Sequence, residues 1–277
     1  MKIQIISDIH LEFYENPKIC NFIKPITPIL CIVGDLCCCD ASGLKKIKLF
    51  FDKITSMFKL ILWIPGNHEY YRNSCTDKKG TVQGIDSQNT KFCSMYKNIK
   101  YLKNSRIEYL YDQTLYRFIG STLWTQIPAQ KAKEIEKYMS DYSMIYVWSN
   151  KNKKCRKITY KDVNNWHKNH IAHIKQEINN SRKLKKQKNT KYNDVKTIIL
   201  THHKPFCNKQ ELNNNVLSLA YESDQTNIMN SKYVDAWLYG HTHKHFRGKI
   251  GGCTVVSNPR GYPREKTGLK NGYYIII

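Results

Sequence analysis

No stretch of this chain approaches the eighteen or so consecutive apolar residues that a membrane-spanning helix requires. The opening M-K-I-Q-I-I-S-D is also too short an apolar run for a secretory signal. No internal repeat is visible, and the ten cysteines include no spaced C-x-x-C pair. Without a secretory signal those thiols read as reduced rather than as a disulfide framework. Cys37, Cys38 and Cys39 are consecutive, so their side chains diverge and cannot chelate one zinc together. The absences together predict a soluble, cytoplasmic protein with no membrane partner. Its 277 residues read as one domain, 1–277, with an insertion.

Acidic residues are scarce: 22 Asp and Glu stand against 45 Lys and Arg, for a formal charge of +23. Arg supplies only eight of the 45, and the chain is rich in Asn, Ile and Tyr, as an A/T-biased genome would write it. Mutational bias can therefore raise the charge without a polyanionic partner. The distribution is uneven, however. Lys151 to Lys191 holds 14 Lys or Arg against Asp162 and Glu177, a surplus of 12. This tract is the candidate contact surface for nucleic acid.

Apolar runs that stop at polar, chemically capable residues dominate the rest. Ile3 to Leu11 reads as a buried parallel strand delivering Asp8 and His10, which strand alternation would put on one face. One D-x-H alone is equally a cap followed by a loop histidine, but the pattern recurs. Ile29 to Val33 ends in Gly34 and Asp35, and Leu60 to Ile64 runs into P-G-N-H-E with Asn67, His68 and Glu69. Val195 to Leu200 ends in His202 and His203, and D-A-W-L-Y-G-H-T-H presents His241 and His243, again expected on one face.

Between these strands, Leu44 to Phe58 has helical spacing, and Asn73 to Gln88 reads as a polar loop. Ile99 to Leu102, Ile107 to Tyr111 and Tyr116 to Ile119 read as short strands, while Lys131 to Trp148 and Tyr160 to Leu184 read as helices. Ala129 to Tyr192 is therefore expected to form a helical, basic insertion. Within it His167, His170 and His173 have no carboxylate or thiol beside them and read as solvated helix histidines. Short strands near Ile250, at Cys253 to Val256 and at Tyr273 to Ile277 close the chain.

In order, the strand ends give D-I-H, G-D, G-N-H-E, T-H-H and G-H-T-H, which resembles the calcineurin-like metallophosphoesterase family from Ile3 to His243. The resemblance implies a four-layer αββα sandwich, an α/β fold, with a dinuclear centre. Asp8, His10 and His243 would hold one divalent ion, and Asn67, His202 and His241 the other, with Asp35 bridging. His203 is the alternative to His202. Mixed His, Asp and Asn ligands suit Mn, Fe, Zn or Co. Two such ions share an anionic ligand and lower the pKa of a bridging water, so hydroxide would attack phosphorus in line. His68 would protonate the leaving oxygen; Glu69 would orient His68 or cap a helix.

The chain departs from two branches of that family. G-D-L-C-C-C-D lacks the arginine of the Ser/Thr protein phosphatases, and Cys38 stands where purple acid phosphatases have a tyrosine ligand. Arg260, in S-N-P-R-G-Y-P, either reaches a substrate phosphate or belongs to an ordinary turn. The expected activity is hydrolysis of a phosphate ester, a phosphodiester by preference. The competing reading is an inactive scaffold or nucleic-acid-binding module of the same fold.

Overall fold

The computed structural model describes residues 1–14, 22–187, 192–207 and 215–277. Pro17 and the end of the basic tract, Lys188 to Lys191, lie outside them. β1 (Lys2–Ile6), β2 (Ile29–Val33), β3 (Leu60–Ile64) and β4 (Ile99–Tyr101) run parallel. Ile6 pairs with Ile32, and Ile32 with Trp63, so β1 to β3 end level and their following turns open on one edge. β5 (Ser105–Tyr111) and β6 (Thr114–Ser121) form a hairpin, and β7 (Tyr146–Ser149) pairs with β8 (Lys154–Lys157) in another. β6 then runs parallel to β9 (Asp194–Thr201), and β9 to β10 (Ala236–Tyr239). β11 (Phe246–Ile250) and β12 (Cys253–Ser257) complete this second sheet, while β13 (Tyr274–Ile276) edges the first, antiparallel to β1.

Both sheets are covered on both faces, which is why their central strands are apolar throughout rather than alternating. Along β2, Ile29, Cys31 and Val33 meet Phe118, Leu200 and Leu238 of the other sheet. Leu30 and Ile32 turn the opposite way, toward Ile47, Phe50 and Phe51 of α1 (Ala41–Ile54). On the far side, Ile119, Ile199 and Trp237 pack against Ile174 and Ile178 of α5 (Tyr160–Lys186). Helix, sheet, sheet, helix is the predicted four-layer order. Each fully buried Ile, Leu or Phe contributes about 1.5–3 kcal/mol.

Two local expectations fail for identifiable reasons. Asn73 to Gln88 is not a loop throughout, because α2 (Val82–Ser94) begins inside it, with Thr81 accepting from Gly84 N at 3.3 Å. Its buried face mixes Val82, Ile85 and Cys93 with Asp86 and Asn89, so apolar periodicity is weak. Asp86 accepts from the hydroxyls of Tyr70 and Tyr101 at 2.8 and 2.9 Å. Lys131 to Trp148 divides into α3 (Ala129–Tyr138), the single turn α4 (Asp141–Met144) and β7. The Y-V-W-S run favours a strand through its branched and aromatic side chains.

α5 (Tyr160–Lys186) starts at a capping box made by Thr159 and Asp162. Fully buried Arg117 on β6 fastens it to the second sheet, donating to Glu177 Oε2 at 2.6 Å and to the Glu177 carbonyl at 2.7 Å. His167 is buried and hydrogen-bonded to the Trp124 carbonyl rather than solvated. The described cysteines are all free. No helix among the described residues is long and apolar enough to cross a membrane.

Candidate metal centre

The site forms where β1, β2, β3, β9 and β10 end, in the crevice outside the carboxyl ends of parallel strands. Its side chains do not converge by strand alternation. β1 stops at Ile6, and Asp8 and His10 each take a left-handed backbone with φ 51°. Asp35 (φ 52°), His241 (φ 69°) and His243 (φ 50°) do the same. Each such non-glycine residue costs roughly 1–2 kcal/mol, strain that the surrounding structure must hold. The turns are pinned by Asp8 N donating to Gly34 O and His10 N to Asp35 O, both at 3.0 Å. Gly34 is required here: with φ +88°, a Cβ would stand 2.2 Å from His202 Nδ1. A Cβ on Gly66 would stand 2.1 Å from Asp35 Oδ1.

Two donor groups result. Asp8, His10 and His243 form one: His10 Nε2 lies 3.1 Å from His243 Nε2, which is 3.4 Å from Asp8 Oδ1. In the other, His202 Nε2 lies 3.0 Å from Asn67 Oδ1, 3.2 Å from His241 Nδ1 and 3.2 Å from Asp35 Oδ2. Asp35 Oδ2 is also 3.8 Å from His10 Nε2, which puts this carboxylate between the two groups. His241 and His243, expected on one face, serve different groups because both follow left-handed turns.

The outer atoms of these side chains are already engaged. His10 Nδ1 faces Glu12 Oε1 at 3.1 Å, His243 Nδ1 faces Glu265 at 2.7 Å, and His202 Nδ1 faces the Val33 carbonyl at 3.1 Å. Asn67 spends its amide N–H bonds on Tyr71 OH and Asp141, at 3.0 and 2.9 Å. Where His10, His202 and His243 donate outward, what their neutral rings turn inward is lone pairs at about hydrogen-bond distance from other acceptors. Such a set is repulsive unless a cation sits among them. Buried His241 Nε2 has no hydrogen-bond partner either. The donor set therefore fits divalent metal.

Metal-free electrostatics show the same demand. Burial pushes His202 and His243 down, but Asp35 beside one and Asp8 beside the other bring both up to about 9. Burial also works against ionised Asp35, yet the imidazoles of His202 and His68 hold it well below the usual carboxylate range. Glu69, raised by burial and by Asp35 to about 7, does not touch His68. It accepts instead from the backbone N–H of Asp35, Leu36 and Gly66 and from the Trp63 indole, at 2.7–3.2 Å.

The partner of His68 is Glu12, whose Oε1 lies 2.9 Å from His68 Nδ1. Burial raises Glu12, but hydrogen bonds from His10 and His68 bring it down to about 2. His68 Nε2 looks into the cavity, 3.3 Å from Tyr262 OH. Sequence reasoning missed Glu12, Glu265 and Asp141; only Glu12, two residues past His10, carried any local signal. His203 belongs to neither donor group: its Nδ1 is 3.2 Å from the Thr122 carbonyl, and burial pushes it down to about 3. Arg260 is sandwiched between Tyr14 and Phe22, 3.7 and 4.2 Å from their ring centres, and is not among the residues lining the cavity. That cavity, about 1400 Å³, is lined by Glu12, Cys38, His68 and Tyr262 beside the donors.

Two facing mixed sheets between helical layers, with metal-type donors converging at their strand ends, define an α/β sandwich with a candidate metal centre. The chain belongs to the calcineurin-like phosphoesterase family, whose model matches residues 1–245. An uncharacterized protein of Acanthamoeba polyphaga mimivirus is 30% identical over 293 residues, covering 99% of this chain and 96% of its own. The structure of a phosphopantetheinyl hydrolase from Mycobacterium tuberculosis superposes with TM-score 0.68 at 16% identity, over 95% of this chain and 90% of that one. A putative 5'-nucleotidase from Staphylococcus aureus gives TM-score 0.50 at 11% identity, over 94% of this chain and 48% of its own.

Proposed function

We propose that the chain is a phosphodiesterase with two divalent ions, one held by Asp8, His10 and His243 and the other by Asn67, His202 and His241. Asp35 is shared between them. The observation that carries this reading is the inward convergence of donor atoms, with the outer nitrogens of His10, His202 and His243 already anchored. Two ions bound there supply an activated water and neutralise charge on the phosphoryl oxygens.

His68 is the proton donor to the leaving oxygen. Burial pushes its imidazole down, but Asp35, Cys38 and Glu12 hold it well above its ordinary value, so it keeps a proton at neutral pH. Glu12 fixes the ring by accepting at Nδ1, which aims Nε2 into the cavity. A cavity of about 1400 Å³ leaves room for substituents on both sides of phosphorus, which favours a diester over a monoester. Retention of every donor position supports hydrolysis over an inactive scaffold. Mn, Fe, Zn and Co all suit these donors, and metal analysis of the purified protein identifies them.

The test is a comparison of bis-p-nitrophenyl phosphate with p-nitrophenyl phosphate under added manganese. Faster turnover of the diester is expected, and a preference for the monoester rejects the diesterase assignment. His68→Ala should retain both metals and lose about 10²–10⁴-fold in turnover of esters with poor leaving groups. Loss of metal in that variant would instead make His68 a ligand.

A further inference from the structure

We propose that Glu12, Cys38 and His68 form a separate site for a thiophilic divalent cation, zinc above all, whose occupation stops turnover. The carboxylate, thiol and imidazole donor atoms all lie within 4.8 Å of one another, and His68 Nδ1 is already 2.9 Å from Glu12 Oε1. A tetrahedral zinc, with bonds of about 2.0–2.3 Å, holds neighbouring donors roughly 3.3–3.7 Å apart, so small side-chain rotations close the set. Glu12 Oε2 is buried without a hydrogen-bond partner. It can therefore coordinate while Oε1 stays on His10, and the site does not dismantle the neighbouring donor group.

Cys38 differs from the thiols on either side of it. Cys37 and Cys39 are buried, whereas Cys38 is partly exposed and lines the cavity together with Glu12 and His68. The fourth coordination position therefore opens on water. Imidazole and above all thiolate favour zinc over the hard cations magnesium and calcium. On coordination the Cys38 thiol proton and the His68 Nδ1 proton both pass to solvent, and Nδ1 gives the lone pair so freed to the ion. The ion then replaces the Glu12 contact that aims the ring, so His68 Nε2 is no longer held toward a leaving oxygen. This inhibitory consequence rests on the role of His68 proposed above; the cation site itself does not.

The experiment uses the manganese-loaded full chain and its Cys38→Ser and Cys38→Ala variants, which keep Glu12 and His68 in place. Cobalt(II) added to the parent should produce a thiolate-to-cobalt charge-transfer band in the near ultraviolet, absent from both variants. Equilibrium dialysis should find one more zinc on the parent than on either variant. Both variants should keep the parent's manganese content and, each measured against its own zinc-free rate, need at least about tenfold more zinc for half-inhibition. A parent without the band, or variants inhibited at the parent's zinc concentration, overturns the proposal. If no protein hydrolyses phosphoesters, the band still decides the cation site, and it is the catalytic reading that fails.

Discussion

Asp35 sits where two demands meet: its Oδ2 faces His202 and His10, and its Oδ1 accepts from His68 N at 2.9 Å. Asp35→Asn should therefore lower metal content and reduce turnover by at least about 10²-fold, measured by metal analysis and initial rates. Two metals with near-normal turnover in that variant would reject the shared-ligand assignment. The neighbouring imidazoles set a pH dependence. In the metal-free protein His202 and His243 are raised to about 9 from 6.5, so between those values they hold protons that an entering cation must displace. Apparent metal affinity should rise with pH up to about 9, and calorimetry at pH 7.5 in buffers of different ionisation heat should find proton release. The same protons stabilise the metal-free fold fully below about pH 6.5, and that contribution is lost as pH rises through about 9. The proposed ligands could be named from motif order, but their anchors could not. His68 reaches Glu12 across 56 residues, and Asn67 reaches Asp141 across 74, contacts that exist only after folding.

Elements whose burial is apolar on every side were readable, which is why β2, β3, β9 and β10 fell where the sequence placed them. α2 was hidden because part of its buried face is Asp86 and Asn89, satisfied by tyrosines that come from other elements. The left-handed turns were hidden too, since only glycine advertises a positive φ and Asp8, His10, Asp35, His241 and His243 are not glycine. Buried polar bonding also holds α5. Arg117 and Glu177 are both buried and pair at 2.6 Å, with Arg106 adding a 2.9 Å contact to the same Glu177 oxygen. Removing Arg117 leaves buried Glu177 only the exposed Arg106, so Arg117→Ala should cost up to about 3–5 kcal/mol in chemical denaturation. Arg117→Met, which fills the space, still leaves Glu177 short of its main partner and should also destabilise the fold. An unchanged midpoint in both variants would mean that α5 is held by its apolar face alone.

At the scale of the whole molecule, the lysine-rich C-terminal end of α5 and the centre lie toward opposite ends of the second sheet. The donors follow the carboxyl ends of β9 and β10, while Lys185 at the end of α5 pairs with Asp235, just before β10, at 3.2 Å. Asp235 is bonded to the Thr197 backbone of β9, and five steps of about 3.3 Å put some 16 Å between it and His202. This exceeds the roughly 8 Å screening length at physiological salt, so these lysines cannot steer a phosphoester into the centre. Any nucleic-acid contact they make is separable from hydrolysis. Replacing Lys183 and Lys186 with Gln should weaken binding to duplex DNA at low salt, and reduce the log–log salt slope by about 0.9 for each phosphate contact removed. Hydrolysis of bis-p-nitrophenyl phosphate should not change at any ionic strength. A fall in kcat/KM that appears only at low salt would show that the tract feeds the centre after all. Absence of DNA binding by the parent would leave the lysine surplus as a product of composition, since the metal centre makes no use of it.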